Sequence, residues 1–363
     1  MATKKAAAKK SDLVGWGIIG CGVIGPYHAS SIKDTRTAKL VACCDVIPDR
    51  AEKMAADYGP GVKAYTSLDD LLADPNVVAV SVCTPSGMHS QHVIAAAQAG
   101  KHILCEKPLD INLRAIDEAI AAAQECNVKL AGVFQRRTYD STKKVREAVR
   151  SGKLGKLVLG DAYQKYFRSH EYYASGAWRA TWELDGGGCL MNQGVHGIDL
   201  LLHLMGPVKR LSAYARRLVR NIPVEDTAVA ILEFQNGAVG VIEGTTSVTP
   251  GYDCRIEISG DNGTIILQGD KIEVWDIPGE ESQAEGAEGR GSAADATAVL
   301  SATGHVHHIE DLCAAIKEDR EPEIPGTEAR RAVEVIKAIY LSSRNGGCSV
   351  DLPLSYCDDG IGI

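Results

Sequence analysis

Val14-Gly-Trp-Gly-Ile-Ile19 runs without a break into Gly20-Cys-Gly-Val-Ile-Gly25 and then Pro26. A short apolar run ahead of closely spaced glycines, with a proline where a first helical turn would begin, reads as strand, tight turn and helix. The same rhythm continues outward. Leu40-Val-Ala-Cys-Cys44, Val77 to Cys83, His102 to Cys105 and Lys129 to Phe134 are strand-length apolar runs, while Pro48 to Tyr58, Ser90 to Ala99 and Leu113 to Glu125 carry helical spacing. Strands with no polar face, alternating with helices, predict βαβ units and a doubly wound parallel sheet, hence an α/β N-terminal domain over 13–134.

Beyond Phe134 the rhythm changes. A helix around Thr142 to Ser151 gives way to consecutive strand-like runs at Leu157 to Phe167, Val208 to Arg217, Thr227 to Phe234, Ala238 to Thr246, Tyr252 to Gly260 and Gly263 to Leu267. Short turns such as Gln235-Asn236-Gly237 and Asp261-Asn262-Gly263 join them as hairpins. Residues 135–363 are therefore expected to form an α+β domain with an open, mostly antiparallel sheet. Gly279 to Gly291 reads as a flexible insertion, 1–12 as a disordered Ala/Lys arm, and Thr327 to Arg344 as a closing helix capped by Asn345-Gly346-Gly347.

Composition narrows the function classes. A chain of 363 residues is expected to form two domains, and 45% hydrophobic with 24% charged residues lies in the globular range. The net charge of −8 speaks against nucleic acid as a partner. No run of about 18 or more apolar residues spans a membrane, and no secretory signal follows the N-terminal lysines. Among 11 cysteines, Cys43, Cys44, Cys83, Cys105 and Cys254 fall inside apolar runs without metal-ligand spacing, as reduced core residues of a cytoplasmic protein would. His305, His307 and His308 lie together, but no cysteine or carboxylate completes a ligand set, so no metal is expected.

The opening turn fits G-x-G-x-x-G at Gly20, Gly22 and Gly25. Placed between a strand and a helix, Gly20 to Gly25, with Val23 and Ile24, can seat a dinucleotide pyrophosphate on the helix N-terminus. Asp45, which ends the second strand, can accept hydrogen bonds from an adenosine ribose and would repel a 2′-phosphate. NAD is thus favoured over NADP, with Arg50 read as an exposed helix residue. Thr84 and Pro85 follow another strand at the carboxyl edge where open parallel sheets bind ligands, and His89, Glu106, Lys107 and Gln135 are read with them as cofactor contacts.

Lys107, in Cys105-Glu106-Lys107-Pro108, also follows a strand. On spacing alone it is either a solvated turn residue or a group that orients a substrate hydroxyl. The second cluster, Asp185-Gly-Gly-Gly-Cys-Leu-Met-Asn-Gln-Gly-Val-His196-Gly-Ile-Asp199, reads as a glycine-rich entry into an apolar helix. Helical spacing puts Asn192 and His196 on one face and Asp199 beside His196, as for an acid/base histidine whose tautomer is fixed, or for a histidine satisfied by packing.

Taken in order, G-x-G-x-x-G, Glu-Lys-Pro and Gly-Gly-Gly leading to His-x-x-Asp strongly resemble the Gfo/Idh/MocA family, over nearly the whole chain. The resemblance implies a Rossmann domain joined to an open-sheet domain, and oxidation or reduction of secondary hydroxyls of sugars and cyclitols. It puts the family lysine, ahead of a cis proline, on Lys107 and the family histidine on His196. Many members carry Asp where this chain has Asn192, which would leave His196 less basic. Trp178-Arg179-Ala-Thr-Trp182 and Met-Asn-Gln-Gly-Val-His look most like a subgroup of nucleotide-sugar, glycoside and cyclitol 3-dehydrogenases.

The reaction this implies is hydride transfer between a ring carbon bearing a secondary hydroxyl, the 3-hydroxyl in the subgroup, and the nicotinamide. His196 takes the proton and Lys107 stabilises alkoxide charge, or the two exchange roles. Arg168 and Arg179 offer planar forks for carboxylate, phosphate or vicinal hydroxyls, with Tyr163, Trp178 and Gln135 as wall residues. Arg136 and Arg137 could equally brace the domain junction. The resemblance also permits a glycosidase or lyase that uses retained NAD(H) as an internal redox catalyst, and a noncatalytic NAD-binding sensor. An open sheet face implies a homodimer or homotetramer.

Overall fold

The computed structural model describes residues 13–285 and 302–355; the arm at 1–12 and residues 286–291 of the insertion lie outside the described residues. The chain divides into two compact units. Of the described residues, the first holds 13–109, 115–133 and 302–328, and the second 110–114, 134–285 and 329–355.

In chain order the first unit contains β1 (Val14–Ile19), α1 (Gly25–Asp34), β2 (Ala38–Cys44), α2 (Pro48–Tyr58), β3 (Lys63–Tyr65), α3 (Leu68–Ala73), β4 (Ala79–Val82), α4 (His89–Gln98), β5 (His102–Cys105), α5 (Leu113–Glu125) and β6 (Leu130–Gly132). The strands form one parallel sheet in the order β3-β2-β1-β4-β5-β6. The order reverses at β1, so the glycine turn that follows it stands where open α/β sheets bind ligands. Every residue of β1 is buried, which accounts for its lack of a polar face. Trp16, fully buried, satisfies its indole N–H on Ser81 Oγ at 2.9 Å.

The second unit contains α6 (Asp140–Arg150), β7 (Leu157–Lys165), α7 (His170–Ala174), a π-helical segment (Cys189–Gly194) running into α8 (Val195–Met205), then β8 (Val208–Arg216), β9 (Thr227–Phe234), β10 (Val239–Thr245), β11 (Arg255–Gly260), β12 (Gly263–Gln268) and β13 (Lys271–Asp276). Next comes α9 (Ala302–Glu318), which belongs to the first unit, where Ile309, Leu312 and Cys313 join the core containing Val14, Ala29 and Ile32. A split at 134 therefore describes the outward path of the chain but not this return. The chain ends with α10 (Gly326–Arg344) and β14 (Val350–Asp351).

The second sheet runs β13-β12-β11-β7-β10-β9-β8-β14, with β10 and β7 parallel and the other pairs antiparallel. One face is covered: Gly160 meets Met205 of α8, and Ser342 and Ser343 of α10 accept the amides of Ala213 and Ala215. Period-2 alternation sends Leu159, Val239, Ile231, Val229 and Tyr214 to the other face, where all five are exposed. The five cysteines read as core residues are buried free thiols. Among the described residues no helix is long and apolar enough to cross a membrane.

Candidate functional site

In the first unit the glycine turn has the shape a dinucleotide needs. Gly20 has φ +95°, and a Cβ there would stand 2.7 Å from the Cys83 carbonyl oxygen, so only glycine allows β1 to turn this close to β4. A Cβ at Gly22 would meet nothing within 4 Å, which leaves open space over the loop backbone where pyrophosphate is bound in this motif. Gly25 opens α1 with Pro26 in its first turn, and no side chain caps that terminus. Asp45 is 8% exposed, and its carboxylate accepts the Cys21 amide at 2.8 Å and the Ile47 amide at 2.9 Å. It therefore builds the glycine loop, a role that spacing alone does not reveal. The pyrophosphate and ribose positions of NAD fit these residues.

Lys107 stands at the carboxyl end of β5, its backbone held on both sides. Its own amide donates to Glu106 Oε2 at 3.1 Å, and the carbonyl of Pro108, across a cis peptide bond, accepts from His89 Nδ1 at 2.7 Å. His89 Nε2 lies 2.8 Å from the Thr84 carbonyl, so this buried ring ties the loop after β4 to the loop after β5. Read as a cofactor contact, His89 is instead enclosed by these two loops.

Glu106 is likewise turned inward. Its Oε1 is 2.9 Å from His28 Nε2 and 3.1 Å from His305 Nε2, all three residues being buried. Trp16 donates into Ser81 Oγ, which lies 2.9 Å from His28 Nδ1. Because the Glu106 carboxylate only accepts, the proton of His28 is on Nε2, aimed at Glu106; burial lowers the pKa of the ring, and Nδ1 of the neutral imidazole accepts the Ser81 hydroxyl. Burial pushes the Glu106 carboxyl up, but the hydrogen bonds and charge of His28 and His305 outweigh it and hold the group well below the usual carboxylate range. The histidines around position 305 thus separate: His305 joins this triad, His307 pairs with exposed Glu323, and His308 is buried, its pKa pushed down by desolvation to about 3. A carboxylate does stand beside His305, which spacing in the sequence did not show: the ligand-capable atoms of His28, Glu106 and His305 lie within 4.8 Å of one another.

In the second unit His196 lies in the first turn of α8 and is 7% exposed, with the Phe134 ring edge-on at 6.2 Å. The segment before it is a π-helix, not the α-helix its spacing predicts; the wider turn resets the angle between Asn192 and His196. Asn192 Nδ2 donates to Asp185 Oδ1 at 2.9 Å, and Asp185 Oδ2 accepts the Ala180 amide at 2.7 Å. The carboxylate absent at 192 is present one hydrogen bond behind it. Asp199 forms a two-pronged ion pair with Arg137, at 2.8 and 2.5 Å, both side chains buried. That pair fixes the start of the unit to α8 and assigns Arg137 a bracing role within it.

Arg168 and Arg179 converge on a residue the sequence did not single out. Tyr172 has the Arg179 guanidinium over its ring at 4.6 Å and that of Arg168 at 5.5 Å. Its hydroxyl oxygen accepts from Arg179 at 2.9 Å and from Gln193 Nε2 at 2.7 Å. The Arg179 guanidinium also lies over the Trp178 ring, at 4.7 Å. Gln135 is buried at the start of the turn before α6. Tyr163 is a correction: β7 turns Ala162 and Gln164 to the covered face, and Gln164 meets Gly197 of α8, so Tyr163 points to the open face beside Lys165. Its charged neighbours in period 2, Asp161 and Lys165, carried that signal.

A family model described as an oxidoreductase family with an NAD-binding Rossmann fold matches residues 14–134, and the Gfo/Idh/MocA C-terminal domain model matches 142–266. Myo-inositol 2-dehydrogenase of Thermotoga maritima is 37% identical over 258 residues, 69% of this chain and 73% of that protein. The scyllo-inositol 2-dehydrogenase (NAD(+)) of Bacillus subtilis is 29% identical over 69% of this chain and 72% of its own length. Among solved structures, the WlbA dehydrogenase of Bordetella pertussis in complex with NADH and UDP-GlcNAcA superposes with TM-score 0.84 at 32% identity, covering 94% of this chain and all of that one. With these matches and the glycine turn, Glu-Lys-Pro segment and His196 helix in place, the chain belongs to the Gfo/Idh/MocA family of NAD-binding oxidoreductases.

Proposed function

We propose that this enzyme oxidises a secondary ring hydroxyl of a cyclitol, sugar or nucleotide sugar, at the 3-position where the substrate is a sugar, with NAD in preference to NADP. The observation that carries the reading is the lysine whose backbone is held before and after it, at the carboxyl edge of a sheet whose glycine turn fits a dinucleotide. The inositol dehydrogenases and the UDP-sugar complex among the relatives support the substrate class.

When bound, NAD supplies the hydride acceptor. As the hydroxyl O–H bond breaks, negative charge grows on the oxygen, and a cation held at fixed position stabilises that alkoxide without reorganising. Lys107 supplies that cation, and His196 takes the hydroxyl proton. Asn192, tied to Asp185, and Asp199, tied to Arg137, keep α8 and its entry in register. Arg168, Arg179, Tyr172, Trp178 and Gln193 provide guanidinium forks between aromatic faces, a lining suited to a carboxylate, a phosphate or vicinal hydroxyls. The exposed apolar row on the open sheet face is where a second copy of the chain would pack.

Incubating the protein with NAD or NADP and a panel of inositols, free sugars, glycosides and UDP-sugars tests the reading. NADH should accumulate with a cyclitol or sugar, and faster with NAD than with NADP. No reduced cofactor with any member, or hydrolysed glycoside without net NADH, would overturn it.

A further inference from the structure

Glu225 is fully buried in the loop before β9. Its side chain and backbone together accept three successive amides: Gly188 N–H on Oε2 at 2.8 Å, Cys189 N–H on the Glu225 carbonyl at 3.0 Å, and Leu190 N–H on Oε1 at 3.0 Å. Those amides open the π-helical segment that carries Asn192 and leads into the turn of His196. The first amides of a helix have no partners within it, and a carboxylate is the strongest acceptor a side chain can bring to them. Tyr340 of α10 adds a fourth bond, its hydroxyl donating to Oε1 at 2.9 Å. The glycines are shaped around this arrangement: a Cβ at Gly187 would lie 2.1 Å from Tyr340 Oη, and one at Gly188 would lie 1.8 Å from the Glu225 carbonyl oxygen.

We infer that Glu225 is a positioning residue for the reaction, holding the entry of α8 so that Asn192 and His196 keep their working orientation. The inference rests on His196 acting as proposed above. A purely packing role would be met at lower cost by an apolar side chain, because burying a carboxylate is unfavourable unless its acceptor capacity is used. Here burial pushes the carboxyl up to about 7, against the Leu190, Tyr340 and Gly188 hydrogen bonds. The titratable groups facing it are Tyr340 of α10, Cys189 of the π-helical segment and Tyr173 of α7, and burial raises all three, so none brings a positive charge. The amides are what Glu225 is matched to. Glutamine keeps its size but offers one acceptor and an NH₂ group, so Gly188 and Leu190 cannot both be satisfied.

The test uses full-length Glu225→Gln with three measurements: hydrogen exchange across 188–196, NAD affinity by direct titration, and kcat and KM with the best substrate of the panel. Exchange across that segment should rise at least about tenfold while the first unit is unaffected. NAD affinity should be unchanged, and kcat should fall about 10- to 100-fold, the scale expected when a reacting group is displaced by about 1 Å. Tyr340→Phe, which removes one donor and leaves the amides, should show the same pattern in weaker form and serves if the Gln variant does not fold. Unchanged exchange across 188–196, or unchanged kcat in a variant whose segment has loosened, would overturn the inference. Exchange and NAD affinity are read without turnover, so a failure of the proposed reaction shows separately as absent NADH from the unsubstituted chain.

Discussion

Replacing Lys107 by methionine should lower kcat by about a thousandfold while leaving NAD affinity within about threefold, the range expected when a positioned acid/base or charge-stabilising group is lost. The side chain is only partly buried, so its removal leaves no cavity in the core. What makes the effect large is the framing of its backbone: Glu106 accepts the Lys107 amide, Glu106 is itself fixed by His28 and His305, and His89 holds the carbonyl that follows. A cation delivered from so constrained a point contributes more than one on a mobile loop, because little reorganisation accompanies charge development. Titration of NAD by fluorescence, alongside initial rates with the best substrate, separates loss of chemistry from loss of cofactor. Rates within a few-fold of the unsubstituted protein would remove Lys107 from the reaction.

Gly188→Ala should destabilise the second unit by about 3–5 kcal/mol, among the largest effects open to a single methyl group. The added Cβ would stand 1.8 Å from the Glu225 carbonyl oxygen and 2.9 Å from its carbon, atoms of backbone that the Cys189 amide and β9 hold in place. Relief requires the π-helical segment to move away from Glu225, which gives up the Gly188 and Leu190 hydrogen bonds together. Gly22→Ala is the matched control, since its Cβ meets no atom within 4 Å. That variant should keep its stability within about 0.5 kcal/mol and lose NAD affinity instead, because the methyl group occupies the approach to the loop. Denaturant midpoints for the two variants check both halves; equal stability in both would mean that the contact at Gly188 is not rigid.

Much of the parallel sheet was legible because its strands are apolar on both faces and its helices are long. Pro48–Tyr58 and Leu113–Glu125 have the bounds their periodicity predicts. Most elements that escaped are short or lie at edges: β3 is three residues with an exposed face, α3 is six, β13 is an edge strand and β14 is two, but α9, 17 residues long, escaped as well. The apolar stripe of α9 carries no information about which sheet it covers, so its return to the first unit could not be read.

The same division runs through the candidate site. Gly20 and Asp45 follow from local spacing, since strand, turn and helix geometry place them, whereas spacing left Lys107 and His196 open and the family resemblance singled them out. Glu225 does not, because Pro223-Val-Glu-Asp looks like a charged surface loop until a partner 37 residues away in sequence closes on it. Tyr172 was equally hidden, its role being set by guanidinium groups at 168 and 179 that fold back over one ring. Asn192 was legible as a departure from the aspartate many relatives carry, but not the compensation, Asp185 seven residues earlier.

The central claim is that a hydride passes directly from a ring carbinol carbon to the nicotinamide. Its most direct test is to supply the best cyclitol or sugar with deuterium on the carbon bearing the reactive hydroxyl and to analyse the reduced cofactor by mass spectrometry. NADH should carry one deuterium at C4 for each substrate molecule oxidised. Unlabelled NADH, with the deuterium appearing in water, would contradict direct transfer and the reaction proposed for Lys107 and His196.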